Sequence, residues 1–161
     1  MAAARFDVVG TGASLCIILC ALLCVYNAWR SDSLPSSGLA LHLAGFLVNV
    51  VSVAVPGRFD SDVDPKSMNF PWPTLFSLAG FAFAIWGVIY LGETAGLVAL
   101  ARAPPELAAQ AAPASRAWLC ANVAQALWCA AFRPWALDRL WLSSLCLAAT
   151  AASLVLSQLR L

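Results

Sequence analysis

The sequence predicts an all-α integral membrane bundle of about five transmembrane helices, and three observations carry that prediction. Of the 161 residues, 62% are hydrophobic and 11% are charged, with a mean hydropathy of +0.83. A typical soluble domain is about 45–50% apolar and about 25% charged, so this chain lacks the polar side chains to cover a water-facing surface. A bilayer removes that requirement, because lipid-facing positions can be apolar. The charges are also spaced so that they punctuate long uncharged runs, and most tryptophans fall near the ends of those runs.

The runs give the elements in order. No charge occurs between Asp7 and Arg30, nor between Asp32 and Arg58. A third run extends from Ser67 to Gly92, is interrupted by Glu93, and resumes to Ala101. A fourth covers Ala117–Phe132 and a fifth Leu140–Leu159. A spanning helix needs about 17–25 apolar residues. The expected spans are therefore 8–29, 38–55, 74–100, 116–132 and 139–159, the fourth being short, within a single membrane domain over 1–161. The first run is longer than the apolar core of a signal peptide, about 7–15 residues, and is expected to be a retained span.

Proline marks the breaks, because it fixes φ and removes a backbone donor. Pro35 lies in the first connection, and Pro56–Pro73 carries Asp60, Asp62 and Asp64. Pro104, Pro105 and Pro113 divide the third run from the fourth, with room for a short surface helix over Glu106–Ala112. Trp29, Trp72, Trp118, Trp135 and Trp141 fall at expected interfaces, where amphipathic rings favour the headgroup level. Trp86 and Trp128 lie within spans and are expected to face other helices. Basic residues divide five to four between the two sides, so the positive-inside rule assigns no orientation.

Composition and motifs exclude several functions. There is no clustered basic footprint for nucleic acid. The acid triplet Asp60, Asp62, Asp64 begins like a calcium loop, but Pro65 and Pro71 occupy the positions of the required Gly and bidentate Glu. No nucleophile elbow, phosphate loop, HExxH or paired-cysteine motif is present, so no catalytic residues and no metal site are expected. The six cysteines lie in apolar runs and read as small packing residues. Cys16, Cys20 and Cys24 form one stripe expected to face a neighbouring helix.

The few polar residues within spans are the candidate binding groups. Glu93 is the one acid inside an apolar run. Intramembrane carboxylates are usually functional, but a helix beginning near Trp72 would carry Glu93 roughly 30 Å along, to the far interface. His42, the single histidine, reads either as an axial ligand for one tetrapyrrole or as a histidine bonded to a carbonyl. Asn122 and Gln125 share a helical face, and Asn49 lies in run two. Such amides either bond across helices or coordinate a ligand.

Phe76–Glu93 reads FSLAGFAFAIWGVIYLGE. This resembles the signature of the tryptophan-rich sensory protein family, to which TspO and the translocator protein are related. Leu41–Asp60 and Ala121–Leu145 resemble the flanking helices, with Asn122, Gln125 and Trp128 in family-like places, and the resemblance covers residues 38–159. The chain reads as a shortened member with run one added. The resemblance implies a helical bundle that binds tetrapyrroles or sterol-like lipids.

Two functions follow as expectations. The first is a non-catalytic accessory subunit of a larger membrane complex, surrounded by lipids and other transmembrane subunits. Its expected host is a pigment-bearing photosystem or antenna assembly in a plastid (thylakoid) membrane, with chlorophyll or another tetrapyrrole held by His42, Glu93, Asn122 and Gln125. The alternative is a free-standing TspO-like receptor or sensor for porphyrin or sterol-like lipid, with a pocket lined by Trp86, Tyr90 and Trp128.

Overall fold

A computed structural model describes residues 8–30, 37–59 and 84–161, and all regular structure among them is helical. The helices are α1 (Val8–Arg30), α2 (Ser37–Ala54), α3 (Ile85–Arg102), α4 (Pro105–Ala131) and α5 (Trp141–Leu159). A short 3₁₀ segment, Pro134–Arg139, joins the last two. The acid triplet, Trp72 and the expected start of the third span at 74 lie outside the described residues. Two of the helices, α3 and α5, are long and apolar enough to cross a membrane. Shorter apolar stretches occupy Thr11–Asn27 of α1 and Leu39–Ala54 of α2.

The bundle is organised around α4, which packs on α5, α2 and α1. Its composition suits that place. Ala114, Ala117, Ala121, Ala124, Ala126, Ala130 and Ala131 are all buried, and small side chains let neighbouring helices approach closely. A helix enclosed by other helices has no need of a lipid-facing apolar coat, so Asn122 and Gln125 are accommodated among the alanines. Gly45 marks a close approach of α2 to α4: a Cβ there would overlap the Leu119 side chain.

The connection between α3 and α4 follows from its prolines. Ala103 and Pro104 each precede a proline and are extended, with ψ of 140° and 151°. Pro105 then takes the first position of α4, where its missing N–H is not needed, and Glu106 follows in the first turn. The expected break at Pro113 does not occur. α4 continues through it as one helix of 27 residues, which takes in both the expected surface helix and nearly all of the expected fourth span. Proline removes one intrahelical bond, and neighbouring side chains reinforce the backbone just beyond it. Ser157 of α5 donates to the Ala114 carbonyl at 2.9 Å, and His42 of α2 bonds the Ser115 carbonyl at 2.8 Å.

The opposite end of α4 is fastened by Arg133, which follows the helix in the tight connection to α5. It is 0% exposed. Its Nη1 donates to the Pro56 carbonyl at 2.7 Å, Nη2 to Val55 at 3.2 Å and Nε to Cys129 at 3.1 Å. The guanidinium thus caps the C-terminus of α2, where free carbonyls and the helix dipole favour a cation. Gly57, at a φ of 97°, turns the chain there, and Phe59 N–H donates to the Phe132 carbonyl at 3.3 Å. Trp135 ties in α1: its indole N–H donates to the Ala130 carbonyl at 2.8 Å and to Ser14 Oγ at 3.1 Å.

The packing face of α1 differs from the expected cysteine stripe. Cys16 and Cys20 are exposed. The buried positions are Ser14, Ile17, Ala21 and Cys24, which touch Val123, Ala126 and Ala130 of α4. Steps of three and four keep a face in register with a partner helix, whereas repeated steps of four drift around the axis.

Candidate functional site

Helix α3 touches α2 lightly and stands off from α4 and α5. Most of its surface is exposed, Leu97 being its one buried residue. Glycines on α3 contribute to this: Gly92 and Gly96 have open space where a Cβ would be. The gap between α3 and the body of the bundle forms two adjoining cavities. The larger, of about 350 Å³, is walled by His42, Glu93, Gly96, Leu97, Ala114 and Trp118, among others. The smaller, of about 150 Å³, includes Asn49, Trp86, Tyr90, Glu93, Asn122 and Gln125 in its wall.

Glu93 belongs to both walls and lies at the middle of described α3. Its Oε1 accepts from Trp118 Nε1 at 3.1 Å and from Asn122 Nδ2 at 3.4 Å. Its Oε2 is buried without a hydrogen-bond partner. Asn49 Nδ2 donates to Asn122 Oδ1 at 2.8 Å, joining α2 to α4 in the interior. Tyr90 Oη lies 3.5 Å from Asn49 Oδ1 and completes a polar line through three helices. In an apolar setting each such bond removes a polar group that would otherwise be unpaired, which fixes the relative positions of α2, α3 and α4.

Aromatic contacts frame this line. His42 is 2% exposed and stacks on Trp118, with centroids 5.7 Å apart and planes at 12°. Phe46 stacks on the same indole at 6.5 Å, and Tyr90 meets Phe46 edge-on at 6.0 Å. Trp86 stacks on Tyr90 at 6.1 Å.

Of the residues singled out in the sequence, His42, Glu93 and Asn122 converge around Trp118. Gln125 lies one turn further along α4, facing the smaller cavity with Trp86 and Tyr90, and its Nε2 is buried without a partner. Trp128 is placed elsewhere: it stacks on Phe132 at 5.4 Å beneath Arg58, 5.6 Å from its ring. His42 Nε2 is engaged with the Ser115 carbonyl, so ligation of a tetrapyrrole through that nitrogen requires breaking a bond between α2 and α4. Among the described residues no group of three His, Cys, Asp or Glu side chains comes together.

One site residue was missed, Trp118. It reads as an interfacial tryptophan only if α4 begins after Pro113; in the continuous helix it is central and half-buried. Asn49 bonds across helices as expected of an in-span amide, though the identity of its partner, 73 positions away, leaves no local sequence signal.

A family model described as TSPO-like protein matches residues 37–161. No curated protein and no solved structure matches the chain. The matched region contains α2 to α5 and every residue of both cavities, and the chain belongs to the TSPO-like family of membrane proteins.

Proposed function

We propose that this protein is a membrane receptor for a lipophilic small molecule, bound between α3 and the body of the bundle, with all five helices crossing the bilayer. One observation carries the reading. A cavity of about 350 Å³ has a mainly apolar wall and a few convergent polar groups, among them a buried carboxylate oxygen with no partner. Ligand sites typically occupy about 300–1,000 Å³ and have this mixed lining. The polar line from Tyr90 to Trp118 supports the same reading, because it holds the cavity wall in place before a ligand arrives. In this role the protein binds and reports, and its side chains do no covalent chemistry.

Protoporphyrin is the first probe, since the family resemblance implies tetrapyrroles. The full chain in lipid nanodiscs is expected to take up one porphyrin, read by absorption and native mass spectrometry. Gly96→Leu and Ala114→Leu, which fill the larger cavity, are expected to abolish uptake. Absence of saturable uptake of porphyrin and of smaller lipophiles, or uptake indifferent to cavity filling, overturns the reading.

The accessory-subunit reading rests on exposed apolar faces such as Leu15, Leu19, Leu22 and Leu23 of α1. Lipid covers such faces as well as a partner helix does, so it stands second. Co-purification with other transmembrane subunits in mild detergent, and pigment in that complex, would bring it and its plastid setting forward.

A further inference from the structure

Glu93 uses its two oxygens differently. Trp118 and Asn122 both donate to Oε1 and so fix the plane of the carboxyl group. Oε2 is left buried and unpartnered at the junction of the two cavities. Of the other polar groups nearby, Gln125 Nε2 in the smaller cavity is also without a partner, and three more are committed to the fold. His42 Nε2 bonds the Ser115 carbonyl, Ser157 donates to the Ala114 carbonyl, and Thr150 donates to the Cys146 carbonyl. Among the described residues neither cavity wall contains Lys or Arg. A carboxyl group held away from water with neither countercharge nor a full set of donors is among the costliest features a helical bundle can keep. A bound group that donates a hydrogen bond and carries positive charge relieves both deficits at once.

We infer that the site selects lipophilic amines, with an ammonium N–H donating to Glu93 Oε2 and the apolar body lying against Gly96, Leu97, Leu100 and Ala114. This rests on the receptor reading above and names its ligand class. It also sets an order among ligands of one chain length. An amine supplies both donor and charge, an alcohol supplies the donor alone, and a carboxylate repels Glu93. The bare glycine surface of α3 around Glu93 leaves room for the head group.

The test uses n-octylamine, n-octanol and n-octanoate with the full chain in phosphatidylcholine nanodiscs, measured by calorimetry against empty nanodiscs. Octylamine is expected to bind at least about tenfold tighter than octanol, and octanoate more weakly than either. Glu93→Gln is expected to weaken octylamine about ten- to a hundredfold, the range for loss of a charge-assisted hydrogen bond, and to leave octanol nearly unchanged. If Glu93→Gln fails to fold, the order measured on the unaltered protein decides. Equal affinity for octylamine and octanol, or octylamine binding indifferent to Glu93→Gln, overturns the amine inference while the receptor reading stands. No saturable binding of any of the three overturns the inference, and cavity-dependent porphyrin uptake then tells whether the receptor reading survives. Nanodiscs containing phosphatidylethanolamine separate the sources of the amine. Competition with octylamine supports a lipid head group, and unchanged octylamine affinity supports a diffusible amine.

Discussion

Replacing Arg133 with Ala removes a guanidinium that is 0% exposed and joins the ends of two helices. Two of its bonds cross from the end of α4 to the end of α2, at 2.7 Å to Pro56 and 3.2 Å to Val55, and a third closes its own turn on Cys129 at 3.1 Å. A hydrogen bond from a charged donor contributes about 1.5–3 kcal/mol. The two crossing bonds alone therefore set a loss of about 3–6 kcal/mol, and water reaching the freed carbonyls reduces it towards the lower half of that range. Arg133→Lys keeps the charge but not the fork, so it reaches one carbonyl well and loses about half as much. The assay is reversible unfolding in mixed micelles by titration with dodecyl sulfate, followed by far-UV circular dichroism. A cost below about 1 kcal/mol for Arg133→Ala, or Lys and Ala variants of equal stability, would refute the capping role.

Three further perturbations probe the interior by the same assay. Gly45→Val overlaps Leu119 and is expected to cost about 1–3 kcal/mol, with Leu119→Ala restoring part of the loss in the double variant. Asn49→Leu is expected to cost about 0.6–1.7 kcal/mol, and its coupling to Asn122→Leu in a double-mutant cycle should account for most of that. Pro113→Ala restores a backbone donor inside α4 at an exposed position and is expected to stabilise the protein by up to about 3 kcal/mol.

Much of the helical plan was legible because charge placement reports it directly. Charge-free sequence from Val8 to Trp29 lies within α1, and Gly38–Ala54 lies within α2. Pro113 misled the reading because proline is a strong local signal for a break. Side chains from α2 and α5 that reinforce the helix beyond it come from residues far away in the chain. A break there would put Trp118 at the start of a helix, whereas it lies at the middle of α4. The burial of Arg133 has no local signal in the sequence, because it depends on the two carbonyls that end α2. Of the cysteine stripe of α1 only Cys24 is buried against α4, because spacing alone does not choose which small face meets the partner; Ser14 and Ala21 complete that face. Glu93, His42, Asn122 and Gln125 were found because polar atoms are rare in such a chain. The cavity they line depends on the distance at which α3 stands from α4, which no residue pattern encodes.

Photolabelling with an aliphatic diazirine that reacts with neighbouring C–H bonds probes the gap beside α3 most directly. Nanodiscs carrying the full chain would be labelled over a range of probe concentrations, and the adducts mapped by peptide mass spectrometry. Saturable labelling at Leu97, Leu100, Ala114 and Trp118, reduced by excess octylamine, is the expected result for a ligand cavity walled by these residues. Labelling that rises without saturation and falls only on outward residues such as Leu91 and Leu145 would contradict it.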